Sequence, residues 1–501
     1  MLLNTTRRDF MKTTLYGLAA ASVAGLPARA QTGLRQRLDW DTFRRSRDYP
    51  SYVDAIGKMR ANTNAADKRS WQYWTNVHVS FCPHSFAYFL AWHRGYLYHF
   101  EQQMRAVSGN RALTLPYWDY YQNPSLPVEF TNPASWNPLY VPRVNANVSE
   151  ALTLAPFADS VTNMQRGLLN AFEPSLESMP HNPVHNIIGG VMASLQSPTD
   201  PIFWLHHANV DRMFSAWVVA GNGRIMPARS DAYWDGTFTY GTRLTLPRRS
   251  TVDTRVDLGY FYQNETLPTA LAPVAAAFVS EFAGATTFTN AGLLDVAGEL
   301  VTKKAPPQPP VASLAVTRTR ATGPNRVSLG GATRLSLDEN SVSARVPLDQ
   351  SGSDAVQAIV GRLGVSPFRS GTNPNVVTPY TSVQVVLDDV QIAGQGKAGG
   401  YFYKVFLQLP ANVDSAAGEE KHLLGNIGPF EIAGAEHHDS GSSGAGVRLV
   451  FPATQLLRNF AQQGVSELTV SFVRIGGSTP VKGNVITIGE CRVEISTDDV
   501  Q

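Results

Sequence analysis

The sequence predicts two domains of different class: a mainly α N-terminal domain and an all-β C-terminal domain, built as a sandwich or open barrel. Three observations carry this. All nine tryptophans lie between Trp40 and Trp234, and eight of the eleven histidines lie between His78 and His207. The stretch Lys303-Lys304-Ala305-Pro306-Pro307-Gln308-Pro309-Pro310 reads as a stiff linker, set at 303–312. Beyond it, segments of alternating apolar and polar residues are separated by Gly, Asn and Asp, an antiparallel β pattern.

The chain begins with an address. Arg7-Arg8, with Phe10 close behind, precedes an apolar stretch from about Leu15 to Leu26, and Ala28-Arg29-Ala30 follows as a small-x-small cleavage site. This order predicts a signal peptide over 1–30 of the twin-arginine type, and a periplasmic or secreted protein starting near Gln31. The 501 residues carry a formal net charge of +2 and no basic run beyond the N-terminus. Nucleic acid is therefore not the expected partner. No internal stretch approaches the ~18 apolar residues of a membrane span. A small neutral ligand suits this balance, and the composition leaves room for a homo-oligomer.

Within the N-terminal domain, 31–302, apolar and aromatic residues at helical spacing predict a helix over Ser85–Val107, stopped by Ser108-Gly109-Asn110. Asp200-Pro201 reads as an N-cap followed by Pro in the first turn, opening a helix from Pro201 to about Val219. Residues 110–160, rich in Pro and Asn, read as a long structured loop. In the C-terminal domain, 313–501, strands are expected over Thr381–Ile392, Tyr401–Leu409, Val447–Phe451, Glu467–Ile475 and Val485–Ile495.

The histidines form two constellations. His78 and His84 flank Cys82-Pro83, and His93 follows with Arg94. Nine residues on one straight helix turn two side chains to opposite sides, so either His84 and His93 do not share a metal or His84 sits just before the helix that carries His93. His99 points well off the face of His93. In the second constellation, His181 and His185 stand at i and i+4, the spacing that presents two imidazoles to one ion. The adjacent His206 and His207 diverge by about 100°, so only one of them readily joins that pair. A lone histidine is usually a surface or satisfied core residue, and His422, His437 and His438 are read as surface. Two groups of three on aromatic helices point instead to imidazole-only ligation of zinc, copper, iron or nickel. The two cysteines, Cys82 and Cys491, are too few for a thiolate zinc site or a disulfide framework.

At residues 70–220 the chain resembles the tyrosinase and polyphenol oxidase family of type 3 copper proteins. The resemblance rests on His84-x8-His93-Arg94, on Pro116-Tyr117-Trp118-Asp119, on His181-Asn182-x-x-His185, and on the run from Asp200 through His206-His207 to Asp211-Arg212. It implies a four-helix-bundle copper core holding two copper ions, with dioxygen as co-substrate and small phenols as substrates. His78, His84 and His93 would bind copper A; His181, His185 and His207 would bind copper B. His206 would stand behind the ligands, Phe203 would pack against the site, and Asp211 and Arg94 would belong to supporting hydrogen-bond networks.

The resemblance also implies a thioether between Cys82 and His84, with a disulfide to Cys491 or a free thiol as alternatives. It assigns activation of monophenols to a water held by Asn182 and a glutamate, here Glu173. The expected activity is ortho-hydroxylation of monophenols and oxidation of o-diphenols to o-quinones. A catechol oxidase, a haemocyanin-like oxygen carrier and a zinc protein remain as rivals.

The chain departs from the family pattern in two places. The His78–His84 loop is short, which should leave copper A less covered, and Asn186-Ile187-Ile188 stands where relatives often carry Trp. More weakly, the C-terminal domain resembles the lid of larger polyphenol oxidases. Tyr401, Phe402, Tyr403 and Leu424 are the candidates for a plug, and an ordinary accessory domain is the alternative.

Overall fold

The computed structural model describes residues 33–271, 325–362, 379–408, 421–438, 446–457, 465–479 and 481–498, with two short strands at 287–289 and 292–294. The expected signal segment and the Pro-rich linker lie outside the described residues. The helical part is built on α1 (Tyr49–Ala61), α2 (Trp71–Phe81), α3 (Phe89–Ser108), α4 (Asn182–Ile188) and α5 (Ile202–Ala220). The long stretch between α3 and α4 is mostly irregular, as its Pro and Asn content predicts. Among the described residues no helix is long and apolar enough to cross a membrane.

The helix carrying His93 begins at Phe89 rather than at Ser85. The reason is local: Ser85 and Tyr88 take left-handed φ values of 63° and 73°, which break the helix between His84 and His93. Gly109 closes the other end in a left-handed conformation, an ordinary glycine stop. At α5, Asp200 Oδ1 accepts from the Ile202 N–H at 3.0 Å and so satisfies one free donor of the first turn. Phe100 of α3 lies flat on Trp204 of α5, with centroids 3.3 Å apart and planes 10° apart. Tyr96, one turn earlier, packs on the same indole at 4.9 Å. This aromatic stack holds the two helices in the register that the histidines need.

The C-terminal part contains β1 (Arg326–Leu337), β2 (Val342–Pro347), α6 (Gln350–Arg362), β3 (Ser382–Ile392), β4 (Tyr401–Leu407), β5 (Leu423–Ile427), α7 (Pro429–His438), β6 (Val447–Pro452), β7 (Glu467–Gly476) and β8 (Ile486–Ser496). They form two four-stranded antiparallel sheets, ordered β5-β4-β7-β2 and β6-β3-β8-β1. Apolar side chains from both sheets share one core, among them Val385, Val405, Val470 and Val493. This is a sandwich, and the five expected strands are all present. Cys491 is buried in that core, as a strand residue should be, and both cysteines are free. His422 corrects an expectation: it is buried, with Nδ1 3.2 Å from Leu407 O. A bond to the backbone of the neighbouring strand pulls it inside.

The sandwich meets the helical part around α4. Gly400 N–H donates to Asn186 O at 2.7 Å, Thr479 N–H to Asn145 Oδ1 at 2.8 Å, and Asn426 Nδ2 to Ser178 O at 2.8 Å. The approach is close enough to require glycine. A Cβ on Gly189, whose φ is +68°, would lie 2.6 Å from Val144 Cγ2 and 2.9 Å from Gly400 N.

Candidate metal centre

Seven of the eight histidines in the helical part are brought together in two clusters. His78 sits on the last turn of α2, His84 in the turn that follows, and His93 at the start of the second turn of α3. Their ring centroids form a nearly regular triangle, with sides of 5.0, 5.7 and 5.6 Å. His84 thus lies off the helix and shares a cluster with His93. His181 precedes α4, His185 lies on it, and His207 comes from α5, with centroid separations of 4.7, 4.9 and 5.6 Å. The two triangles face each other, and His93 stacks on His207 at 4.3 Å.

The donor chemistry fits a pair of metal ions. His78 Nδ1 lies 2.9 Å from Leu195 O, His93 Nδ1 2.8 Å from Phe89 O, and His185 Nδ1 2.8 Å from Met192 O. His181 Nδ1 lies 2.8 Å from Asn182 Oδ1. Each contact fixes the tautomer with the proton on Nδ1 and leaves Nε2 bare for a metal. His207 Nε2 stands 3.2 Å from His181 Nε2 and 3.3 Å from His185 Nε2. Three nitrogens at ~2.0 Å from one ion in tetrahedral array are spaced by roughly 3.3 Å, so this set is already at ligand distance. Burial lowers the imidazole pKa values, His78 to about 4 and His181 to about 3. These two rings are neutral at physiological pH, which is the metal-binding form.

His206 shares the second cluster, stacked on His181 at 5.2 Å. It is buried, and neither of its ring nitrogens has a hydrogen-bond partner. The nitrogen that closes on both His181 and His185 belongs to His207. His99 stands apart from both clusters, packed against Tyr240 at 5.0 Å.

Phe203 joins the two triangles, with its ring 4.1 Å from His207 and 5.1 Å from His78. Arg94 and Asp211 form the expected support. Arg94 Nε donates to Asp211 Oδ1 at 2.6 Å, and the hydroxyls of Tyr260 and Tyr262 donate to Oδ2 at 2.6 Å each. Arg94 follows His93 directly, and Asp211 lies one turn beyond His207. The buried pair therefore clamps the two ligand helices together, and its lone pairs are satisfied. Cys82 Sγ lies inside the first cluster, 3.5 Å from His84 Nε2 and 3.3 Å from His93 Nε2. Burial, and then the charge of Glu177, push its thiol pKa up.

Glu173 is fully buried, and its carboxylate accepts from Tyr88 N–H and Leu90 N–H at 3.3 Å each, at the start of α3. Burial raises its pKa to about 7. Glu177 was not singled out in the sequence. It accepts from Ser85 N–H at 2.6 Å, beside His84, and pairs with Arg166. Burial raises its pKa to about 7 as well.

The plug candidates need correction. Tyr401, Tyr403 and Leu424 pack in or against the sandwich core, and Phe402 joins the core of the helical part. The side chain over the histidines is Phe430, at the start of α7. Its ring lies on His185 at 4.0 Å and 14°, edge-on to His84 at 5.1 Å and to His181 at 5.6 Å. The cover that the short His78–His84 loop does not give comes from here. Asn186 holds this corner in place: its Oδ1 accepts from Phe430 N–H at 2.9 Å, and its Nδ2 donates to Glu431 Oε2 at 2.7 Å. In the sequence, Pro429 at a helix start was the available signal, but it stands among strands.

A helical core presenting two facing sets of buried histidines, each with ligand atoms close enough to hold an ion, defines a protein with two candidate metal sites side by side. The model for the common central domain of tyrosinase matches residues 53–167 and 137–220, and this part of the chain carries that domain. A domain of unknown function, DUF7868, matches residues 327–495. A tyrosinase of Hahella sp. (strain CCB-MM4) is 34% identical over 221 residues, 36% of this chain and 47% of that protein. A chloroplastic polyphenol oxidase of Malus domestica is 28% identical over 280 residues, 43% of this chain and 46% of that protein. The matches thus span about half the length of these relatives. Among solved structures, latent apple tyrosinase covers 94% of this chain, with 19% identity and a TM-score of 0.49.

Proposed function

We propose that this protein oxidises phenols with dioxygen at a pair of copper ions, A held by His78, His84 and His93, and B by His181, His185 and His207. The observation that carries the reading is the convergence of the His181, His185 and His207 Nε2 atoms across from the His78–His84–His93 triangle. The coppers would supply the redox couple that passes electrons from the phenol to dioxygen.

The finer activity is that of a tyrosinase, ortho-hydroxylation of monophenols followed by oxidation of o-diphenols to o-quinones. A phenol ionises only near pH 10, so the monophenol needs a base at neutral pH. Asn182 holds a water for that task, with Glu173 as the carboxylate; Glu177, on the same segment, is the second candidate. Rates on tyrosine and on a catechol, for the wild type and for Asn182→Ala, Glu173→Gln and Glu177→Gln, test this. Loss on tyrosine alone supports the base, and equal loss on both substrates removes it. A wild type active on the catechol alone is a catechol oxidase.

The remaining parts follow from this reading. Phe430 keeps the enzyme latent by covering His185. Cys82 forms a thioether to His84. The twin-arginine signal exports the folded, copper-loaded chain, so the phenols are met outside the cytoplasm.

A further inference from the structure

The turn between α2 and α3 carries Cys82 and His84 into the first cluster. The same turn, through Pro83 and Tyr88, forms one wall of a cleft of about 240 Å³, closed by the Thr237–Thr239 strand and by Arg248. Phe81, Tyr88, Trp92 and Phe238 give the cleft aromatic sides. None of the six proposed metal ligands lines it, nor does Phe430, so it is separate from the centre described above. Its volume falls below the range of about 300–1,000 Å³ typical of drug-sized ligands, which leaves room for one ring.

Arg248 is the one charged residue of the lining, which holds no carboxylate. Its guanidinium carbon lies 4.2 Å from the centre of the Tyr88 ring and 5.5 Å from that of Phe238. Cation–π attraction to these rings steadies the planar group but leaves its N–H donors unused. Among the described residues the guanidinium forms no ion pair and no hydrogen bond, and its Nε is a shielded donor without a partner. Arg249 beside it does pair, with Asp235. A guanidinium edge fits a carboxylate in two parallel bonds, and such charge-assisted bonds are about twice as strong as neutral ones. Phe81, in the same lining, leaves 42% of its surface to solvent, which a bound ring would cover. An acid for Arg248 and a flat apolar body for the aromatic sides meet in one kind of molecule.

We propose that this cleft is a second ligand site, for a single-ring aromatic carboxylate, with the acid on Arg248 and the ring against Phe81 and Phe238. The site stands independently of the phenol-oxidation reading above.

The test titrates the full, copper-loaded chain with benzoate, benzyl alcohol and benzylamine at neutral pH. Binding is followed by saturation transfer from the protein to the ligand protons, with the copper absorption recorded in parallel. Benzoate should bind at one site per chain without changing the copper absorption, with benzyl alcohol at least about tenfold weaker and benzylamine weaker still. Arg248→Gln should weaken benzoate roughly tenfold to a hundredfold, to the level of benzyl alcohol. Phe81→Ser, at an exposed position, keeps the question open to test if Arg248→Gln does not fold; it should weaken benzoate and benzyl alcohol alike. No saturable benzoate binding, or benzoate no tighter than benzyl alcohol, overturns the inference. Benzoate affinity unchanged in both variants overturns it equally, and a shift of the copper absorption in that case places the ligand at the metal centre instead.

Discussion

The Phe430 ring lies flat on the His185 imidazole, 4.0 Å between centroids and 14° between planes, although 245 residues separate them in the chain. Asn186 makes the relationship durable, because it follows His185 directly and grips the backbone of Phe430 and the carboxylate of Glu431 with one amide.

Asn186→Ala should loosen this grip. The variant loses two hydrogen bonds across the domain boundary, one of them to a charged group, at a cost of about 1–3 kcal/mol. The backbone bond from Gly400 N–H to Asn186 O stays. The expected outcome is a lower unfolding temperature together with faster turnover of a small o-diphenol by the full chain. Slower turnover at unchanged copper content would mean that Asn186 serves the centre and not the cover.

Glu173 predicts a pH effect on stability. Its pKa in the folded protein is raised by burial, from 4.5 to about 7. The folded state holds the proton more tightly than the unfolded chain. The associated stability is complete below pH 4.5 and is lost as the pH rises through about 7. Glu173→Gln keeps the neutral shape and removes that loss. Thermal unfolding of metal-free protein at about pH 5 and about pH 8 should show a larger fall for the wild type than for Glu173→Gln. Equal falls would place the pKa of Glu173 near its ordinary value.

Cys82 predicts a covalent product. After copper loading in air, the peptide carrying Cys82 and His84 should lack two hydrogens, and the thiol should resist alkylation in denaturant. A Cys82 that alkylates fully after that treatment would be a free thiol, which the 3.5 Å separation of Sγ from His84 Nε2 equally accommodates.

Local signals carried much of this in the sequence. The i, i+4 pair His181–His185, the N-cap at Asp200 and the break at Cys82-Pro83 are all encoded within a few residues, and each appears where spacing puts it. The β alternation was equally readable, because a sandwich strand buries one side. What escaped depends on contacts distant in sequence. Apart from Pro429 at the helix start, nothing within ten residues of Phe430 marks it as lying over histidines on α4, and the aromatic run Tyr401–Tyr403 is a stronger local signal that points elsewhere. Glu177 escaped for a similar reason. Its carboxylate matters through Ser85 and Arg166, which only the fold brings beside it.

The proposed centre consists of six histidines and two coppers, with His207 rather than His206 closing the second site. Metal analysis of copper-loaded wild type, His207→Ala and His206→Ala tests it most directly. The expected result is two coppers per chain in the wild type and in His206→Ala, and one in His207→Ala. A wild type holding a single copper, or a His206→Ala that loses copper while His207→Ala keeps both, would contradict it.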